Sequence, residues 1–595
     1  MAASRADSPK VTTGEITAEG TATVGEGRTR DWGWLPSFGM GLVLLYLVLV
    51  PLALMILSSF RPGGFPLDPG FTLAHYRAAY SDAGFPALLW STLVFGAGST
   101  VLALALGTGL AWLVERTDMP GRATIRGLVL LPMATPPILL AIAWAMLLSP
   151  RTGFLNQLLK EGLGLSAAPF DIFTMPGLVF VQGLALVPTA YLFLAPAFRN
   201  MDPSLEEAAF TSGAGTWLVV RRILLPVLWP SILASAIFLL IVSFVVFDIP
   251  GTLGTPAHIS VLSTQIYNLV VEAPGGIPLY GRVSALAMVF LVILLALAAV
   301  YHRLTRHAQR YRTVTGKGFR PRMFPLGRGR WPALAAVVAY FLLSVVAPLV
   351  ILLWTSLMPY RIGISASALK FLTLDNHRDF LTNPRVVSAT QHSLIIAIVA
   401  ATAVALLSLL VAWLTTRRQA PGGKILDTLA FLPVAIPGVM IGVALVYVYL
   451  SLGSVIPIYG TIWIIAIAYV TQYLPFGSRT TQGVMLQLHP ELEEAALTSG
   501  AGTFRVLRRI TLPLVWPALA AVWIWVAAHA LRELSSALML QGRDNAVIPT
   551  LIWDYWSGGE PTHMAAGGIW LTAALIIFLL LWRGLSRRNS LERAA

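Results

Sequence analysis

Between Leu35 and Trp582 the chain runs through twelve apolar stretches, each of a length that lets a helix cross a bilayer. They lie near Leu35 to Phe60, Leu88 to Val114, Ile125 to Leu148, Met175 to Phe198, Leu224 to Phe247 and Val283 to Tyr301. A second set lies near Pro332 to Leu357, Ser393 to Leu414, Leu426 to Leu450, Ile462 to Gly477, Leu512 to Leu531 and Ala565 to Trp582. The expected fold is an all-α integral membrane protein with about twelve transmembrane helices. Composition agrees: 11% of residues are charged, against roughly 25% in soluble domains, and mean hydropathy is +0.75. Soluble, disordered, collagen-like and coiled-coil classes are excluded. The stretch from Ile462, interrupted by Gln472 and Pro475, reads least clearly as one helix.

Residues 1–34 are polar and without an apolar run, which predicts a disordered tail. The stretch after it is longer than a signal-peptide core and lacks a small-residue cleavage site, so a retained span is expected. With that tail in the cytoplasm, parity places the segments around Arg116 to Arg126, Arg199 to Arg222, His302 to Arg330, Arg417 to Asp427, Arg479 to Arg509 and Arg583 to Ala595 inside. The segment His302 to Arg330 has nine Lys or Arg and no acid. It reads as a basic linker, suited to anionic lipid heads. The net charge of +14 thus sits inside, as the bias of Lys and Arg toward cytoplasmic loops requires. It marks sidedness and argues against nucleic acid as a partner. The absence of cysteine excludes disulfides, thiolate metal sites and a cysteine nucleophile.

One block occurs twice. EEAAFTSGAGTWLVVRRILLPVLWP (Glu206 to Pro230) and EEAALTSGAGTFRVLRRITLPLVWP (Glu493 to Pro517) agree at 18 of 25 positions. Weaker echoes pair Ala111-Trp112-Leu113 with Ala412-Trp413-Leu414, Arg116 with Arg417, Pro120-Gly121 with Pro421-Gly422, and Leu131-Pro132 with Leu432-Pro433. The echoes are offset by 301 residues and the block by 287, so the first half carries 14 more, placed in the loop after Leu148. The features keep the same order, so two six-helix halves repeat in parallel as a fused pseudo-dimer. The expected divisions are a cytoplasmic tail (1–34), a first half (35–301), a basic linker (302–331), a second half (332–585) and a second cytoplasmic tail (586–595).

The best-preserved copy is a polar, cytoplasmic segment between the fourth and fifth spans of each half. Asp202-Pro203 and His489-Pro490 put proline at a first helical position, and Glu206, Glu207, Glu491, Glu493 and Glu494 favour the early turns. Ala208, Ala209, Ala495 and Ala496 give a smooth face for close packing. Gly213 and Gly215, matched by Gly500 and Gly502, permit a sharp turn into a second helix, where Arg221-Arg222 and Arg508-Arg509 meet the membrane surface. A single such elbow reads equally well as an interfacial amphipathic helix. Two preserved copies imply two like partners.

These residues resemble the permease subunits of ATP-binding-cassette importers. That signature is Glu-Ala-Ala, three residues, Gly, nine residues, then Ile-x-Leu-Pro. Glu207-Ala208-Ala209, Gly213, Ile223 and Leu225-Pro226 fit it, as do Glu494-Ala495-Ala496, Gly500, Ile510 and Leu512-Pro513. The resemblance covers nearly all of the chain after residue 35 and implies a type I importer permease fold. It further implies that Asp202 to Gly215 and His489 to Gly502 are coupling helices, each docking in an ATP-binding subunit on the cytoplasmic side. An extracytoplasmic solute-binding protein is the third partner implied. ATP and Mg would be bound by the partner ATPase, with no cofactor on this chain, in a bacterial inner membrane with both termini cytoplasmic. The fused layout, with FVVFDIPGTLGTPAHISVLSTQIY after the first block and ALRELSSALMLQGRDNAVIPTLIWDYW after the second, looks most like ferric-iron permeases. Related permeases for thiamine, aminoethylphosphonate or another small charged solute share it.

Catalytic chemistry is not legible. Neither Gly316-Lys317 nor Gly423-Lys424 has the glycine five positions before that a phosphate loop needs, so this chain is expected not to hydrolyse ATP. Ser557-Gly558-Gly559-Glu560 reads as a turn. No clustered carboxylates or His-x-x-x-His pair suggest a metal cage, and His258, His377, His392, His529 and His563 read as solvated or interfacial. Asp248 and the pair Arg532-Glu533 are expected at the outer ends of the fifth spans, as a gate, a substrate path or a structural ion pair. Gly438-x-x-x-Gly442 and Pro132, Pro136, Pro137, Pro433 and Pro437 are read as packing and kinking features. A secondary carrier, the rival from another class, needs a midplane ion site that the spans scarcely provide.

Overall fold

A computed structural model of the chain describes residues 35–592 except 200, 202–203, 272, 274–277, 309–322, 366 and 419–421. The described residues are helical, apart from loops and an isolated backbone bridge between Thr117 and Phe324. The first half comprises α1 (Pro36–Ser59), α2 (Ala74–Tyr80), α3 (Phe85–Arg116), α4 (Arg122–Ala134), α5 (Pro137–Leu148), α6 (Phe154–Leu163), α7 (Met175–Arg199), α8 (Ser204–Thr211), α9 (Trp217–Val245), α10 (Leu262–Val271) and α11 (Tyr280–Ala308). The second comprises α12 (Gly327–Ser356), α13 (Asp375–Thr382), α14 (Pro384–Arg417), α15 (Gly423–Ala435), α16 (Gly438–Ser451), α17 (Ile462–Met485), α18 (Glu491–Thr498), α19 (Thr503–Ala530), α20 (Ser535–Leu540), α21 (Ile548–Ser557) and α22 (Pro561–Glu592). All twelve apolar stretches fall on helices. Nine helices among the described residues are long and apolar enough to cross a membrane, and α4–α5 and α15–α16 form two bent pairs.

The stretch from Ile462 is one helix of 24 residues in spite of Pro475. Its polar residues leave it less apolar than the other spans, but Thr471, Ser478, Thr481 and Gln482 are buried by protein. Thr471 bonds the Leu47 carbonyl of α1, and Gln482 bonds Thr415 and Asp427 of α14 and α15, partners that lipid could not supply.

The two bent pairs turn by 88° and 113°. The cause is local. Thr135 and Ile436, each preceding a proline, are extended (ψ 119° and 114°), and Pro136 and Pro437 follow with ψ 140° and 144°. A residue before proline is pushed out of the helical region, so each span must stop and restart. The pairs nevertheless cross the bundle. Gly98 lies against Val179, Gly183 against Leu102 and Gly107 against Ala190, and Arg116 bonds the Phe198 carbonyl at 3.2 Å. Hence α3 and α7 run parallel, and α4–α5 must return the chain to the opposite face. Arg417 bonds the carbonyls of Met485 and Leu488 at 2.9 and 2.8 Å, which fixes α14 beside α17 in the same sense. The end of the bundle holding these arginines is termed the block face below, and the opposite end the far face.

The halves interlock. The first span of each packs on the broken span of the other: α1 on α15–α16 and α12 on α5. Tyr46 shares a hydroxyl hydrogen bond with Tyr449 at 2.7 Å, and Tyr447 bonds Ser284 and the Tyr280 carbonyl. The repeat also survives at single contacts. Gly107 meets Ala190, and the corresponding positions are Ser408 and Gly477, so the glycine changes sides of the same crossing. A Cβ on Gly477 would collide with Ser408 Oγ and lie 2.7 Å from Val404 Cγ1. Gly477→Ala should therefore destabilise the permease by about 1–3 kcal/mol through overpacking, read as a lower unfolding midpoint in detergent. Adding Ser408→Gly, which recreates the first half's arrangement, should restore most of the loss; no recovery would contradict the pairing.

Candidate functional site

Helices α8 and α18 lie on the block face and end in the same cap. In α8 the Gly213 amide donates to the Phe210 carbonyl and the Ala214 amide to the Ala209 carbonyl, both at 3.0 Å. In α18 the Gly500 and Ala501 amides do the same to Leu497 and Ala496, also at 3.0 Å. Gly213 and Gly500 have φ of 83° and 81°, so the left-handed cap requires glycine at both. Gly215 and Gly502 differ in role, since Gly502 has ordinary extended geometry at φ −65° and no atom lies near the Cβ position of either. They leave the surface open rather than permit the turn. Glu207, Ala208, Glu494 and Ala495 are exposed, while Ala209 and Ala496 are half-buried. His489 is exposed and faces Glu491 at 3.4 Å. Asp202 lies outside the described residues.

The first glutamate of each copy turns inward. Glu206 forms a fully buried ion pair with Arg116, and Glu493 pairs with Arg417 at 3.4 Å in a partly exposed setting. Arg116 and Arg417 are repeat mates, as are Glu206 and Glu493. Each elbow is thus tied to the end of the second span of its own half. The sequence contains this signal in the Arg116/Arg417 echo; Glu206 and Glu493, expected among the coupling contacts, are instead directed inward as anchors.

The two anchors are dried to different degrees by the end of the basic linker. Phe324 is buried, pairs with the backbone of Arg116 and Asp118, and places its ring 5.7 Å from the Arg116 guanidinium and 5.8 Å from the Phe210 ring of α8. Leu497, which replaces Phe210 in α18, stays exposed. Of the nine linker cations, Arg310, Arg312, Lys317, Arg320 and Arg322 lie outside the described residues. A second corner also differs between halves. Glu115 accepts from Arg126 at 2.8 and 3.1 Å and from Tyr191 at 2.6 Å, with Arg199 at 3.5 Å. Asp427, the repeat mate of Arg126, instead pairs with Arg479 at 3.1 Å and accepts from Gln482.

Asp248, Arg532 and Glu533 follow the ends of α9 and α19, but they do not lie at the far face. Tyr473, near the middle of α17, donates to Glu533 at 3.0 Å, and Tyr469 donates to the Glu533 carbonyl at 2.9 Å. Arg532 bonds the Met133 carbonyl at the α4–α5 bend. At the other bend, a Cβ on Gly438 would lie 3.1 Å from Glu533 Oε1. The expected position at outer helix ends is corrected to mid-depth, because the fifth spans begin well outside on the block face and stop short of the other side. Asp248 is 7% exposed and within electrostatic reach of Glu533 and Arg532. His529 is half-buried: its ring stacks on Trp525 at 3.6 Å, and it bonds the Trp525 carbonyl and Arg532. Gly442 admits Met539 and Ser536 of α20 rather than a second long helix. No group of three metal-ligating side chains occurs among the described residues.

Arg116→Ala would remove the buried cation that faces Glu206 and should cost about 3–5 kcal/mol. Arg417→Ala, at the wetter anchor, should cost about 1.5–3 kcal/mol. Unfolding midpoints of the purified permease in detergent check this order, and the reverse order would contradict the drying role of Phe324.

Comparison with known proteins adds four findings. The family described as "Binding-protein-dependent transport system inner membrane component" matches twice, over residues 103–310 and 405–590. The ferric transport system permease protein FbpB of Actinobacillus pleuropneumoniae is 26% identical over 490 residues, covering 81% of this chain and 68% of that protein. The Fe(3+)-transport system permease protein FbpB 2 of Haemophilus influenzae is 24% identical over 480 residues, covering 80% and 85%. Among solved structures, a bacterial ABC transporter involved in the import of alginate matches 44% of this chain and 97% of its own, with 18% identity and a TM-score of 0.37.

Proposed function

We infer the following role for a chain that belongs to the family of binding-protein-dependent transport system inner membrane components: it is the membrane half of an ATP-driven importer, and its cargo is ferric iron. The block face is cytoplasmic, as are both termini, and the far face receives an extracytoplasmic solute-binding protein. Two ATP-binding subunits supply ATP and Mg chemistry; this chain has no phosphate loop and acts as a permease rather than an enzyme. Lipid covers the remaining apolar surface.

The observation that carries the reading is the pair of exposed elbows with one geometry. Glu207-Ala208 and Glu494-Ala495 face outward on helices whose caps match, while Glu206 and Glu493 hold those helices to α3 and α14. A load applied to α8 therefore reaches α3, and through the glycine-lined crossing it reaches α7. ATP-driven closure of the partner subunits would bias the two access states because it contacts the elbows differently in each. Ferric iron is favoured by the names of relatives that match both halves of the chain. Carboxylate and phenol oxygens at mid-depth suit a hard cation.

The double variant Glu207→Lys, Glu494→Lys should lower both co-purification of the ATPase subunit and uptake by roughly tenfold or more, equivalent to at least about 1.4 kcal/mol, with the folded permease retained. Normal uptake by that variant would sink the assignment. ATP depletion should abolish uptake, while an uncoupler at constant ATP should leave it intact; the opposite pattern would favour an ion-coupled carrier.

A further inference from the structure

The repeat locates the pseudo-two-fold axis on the far side of the bundle. In α10 and the residue before it, the Val261 amide donates to Thr264 Oγ1, and the Leu262 amide donates to Thr92 Oγ1 at 3.0 Å. In α21 the Val547 amide donates to Thr550 Oγ1, and the Ile548 amide donates to Ser393 Oγ at 2.9 Å. Thr92 and Ser393 are themselves 301 residues apart. The same register makes Tyr267 and Trp553 repeat mates. Their rings touch, with centroids 6.1 Å apart. In a two-fold arrangement, a residue that touches its own mate lies on the axis, where the halves meet.

Three further observations converge on that contact. First, a cavity of about 610 Å³ opens at the far face between the halves, with Tyr267 and Trp553 in its wall beside Arg385, Asp554, Gln541 and Arg543. Second, Phe247 wedges against both rings, at 4.9 Å from Tyr267 and 5.6 Å from Trp553. Phe247 is fully buried and packs against Gly251, where a Cβ would come within 2.9 Å of the ring. Third, the next residue is Asp248. Its Oδ1 has no hydrogen-bond partner among the described residues, and neither has Glu533 Oε1. Arg532, the nearby cation, directs its hydrogen bonds to the Met133 carbonyl and His529 instead. A buried carboxylate oxygen without a donor is costly, and a cation in transit would satisfy both.

We propose that Phe247, Tyr267 and Trp553 form the outer gate of the translocation path, and that Asp248 and Glu533 beneath it form the transit site for a hard, oxygen-preferring cation. Two carboxylates with the Tyr473 phenol beside them give a partial shell. Such a shell holds a cation firmly enough to admit it and loosely enough to release it. The three rings separate this site from the far-face cavity in the closed state. The inference rests on the importer reading for the sidedness of the far face and the direction of transport, while labelling tests the gate apart from the cargo.

The chain has no cysteine, so Asp248→Cys introduces a single thiol. In cells expressing the full-length chain, a membrane-impermeant methanethiosulfonate added outside should label Cys-substituted position 248 slowly, and Phe247→Ala in the same background should raise the rate at least tenfold. Equal rates would overturn the gate. Separately, Asp248→Asn and Glu533→Gln should each reduce uptake of radioactive Fe(III) citrate at least tenfold while ATPase co-purification remains at the level of the unaltered chain. Uptake unchanged in both variants would overturn the transit site. Uptake that is lost only together with ATPase co-purification would also overturn it, because the carboxylates would then be serving assembly. Failure of the unaltered chain to accumulate iron, with labelling gated by Phe247, would overturn iron as the cargo and leave the gate standing.

Discussion

A backbone amide or carbonyl left without a partner in hydrocarbon costs several kcal/mol, and this chain interrupts four of its spans inside the bundle. Two interruptions are the proline bends of α4–α5 and α15–α16. The other two follow α9 and α19, where the chain continues as short buried elements instead of emerging. Side chains from elsewhere close the exposed groups. Arg532 takes the Met133 carbonyl, Tyr469 the Glu533 carbonyl, Ser263 the Val246 carbonyl, and Thr92 and Ser393 receive the first amides of α10 and α21. The need to bury these breaks in protein draws all four to the middle of the bundle. That region is therefore polar, irregular and shared by both halves, as the proposed path between them requires.

The block face obeys a different constraint. A helix proposed to dock a partner and pass on its motion must be exposed on one side and fixed on the other. The two adjacent glutamates in each copy divide these tasks: the first turns inward to an arginine at the end of the second span, fully buried in one half and partly exposed in the other, and the second faces out. The fixed side leads into α3–α7 and α14–α17, pairs of parallel helices held close by Gly107, Ala190, Ser408 and Gly477. Phe324 makes the first anchor drier than the second. The basic linker thereby contributes packing to one elbow in addition to its charge, and the two elbows are anchored at different burial although their sequences nearly coincide.

Much of the architecture was legible because membrane helices announce themselves by length and apolarity. The twelve stretches, the parallel repeat and the paired elbows were all read from residue order. The bends were legible only as prolines, since Pro132, Pro136, Pro137, Pro433 and Pro437 signal interruption but not its angle. Mid-depth placement of Asp248 and Glu533 was hidden, because span counting assumes that a helix ends where the membrane does, and α9 and α19 do not. The Arg116–Glu206 pair spans 90 residues, so no local pattern marks it; only the coincidence of two offsets, 301 for the arginines and 287 for the glutamates, could have suggested it. A quieter repeat also went unread. Thr72 and Thr373 each cap a short helix and donate their amides to the Phe60 and Leu357 carbonyls at 2.8 Å, with Tyr76 and His377 meeting Ser59 and Ser356.

Fusion of the halves matters most on the axis. A permease built from two identical chains must place each axial residue there twice. Asp248 would then approach a second Asp248, and Glu533 a second Glu533, giving four carboxylates in one buried space. Like charges at such range resist joint ionisation and would have to be neutralised at all times. In this chain Asp248 corresponds to Ser535 and Glu533 to Val246 at the 287-residue offset. Each carboxylate is contributed once, from a different position in its half, with Arg532 as a nearby fixed cation. The aromatic residues follow the same logic, since Tyr267 opposite Trp553 gives an unequal pair into which Phe247 can wedge from one side. Duplication supplied the symmetric frame, and divergence of a few axial residues allowed the frame to hold an uneven set of charges that exact symmetry would have made repulsive.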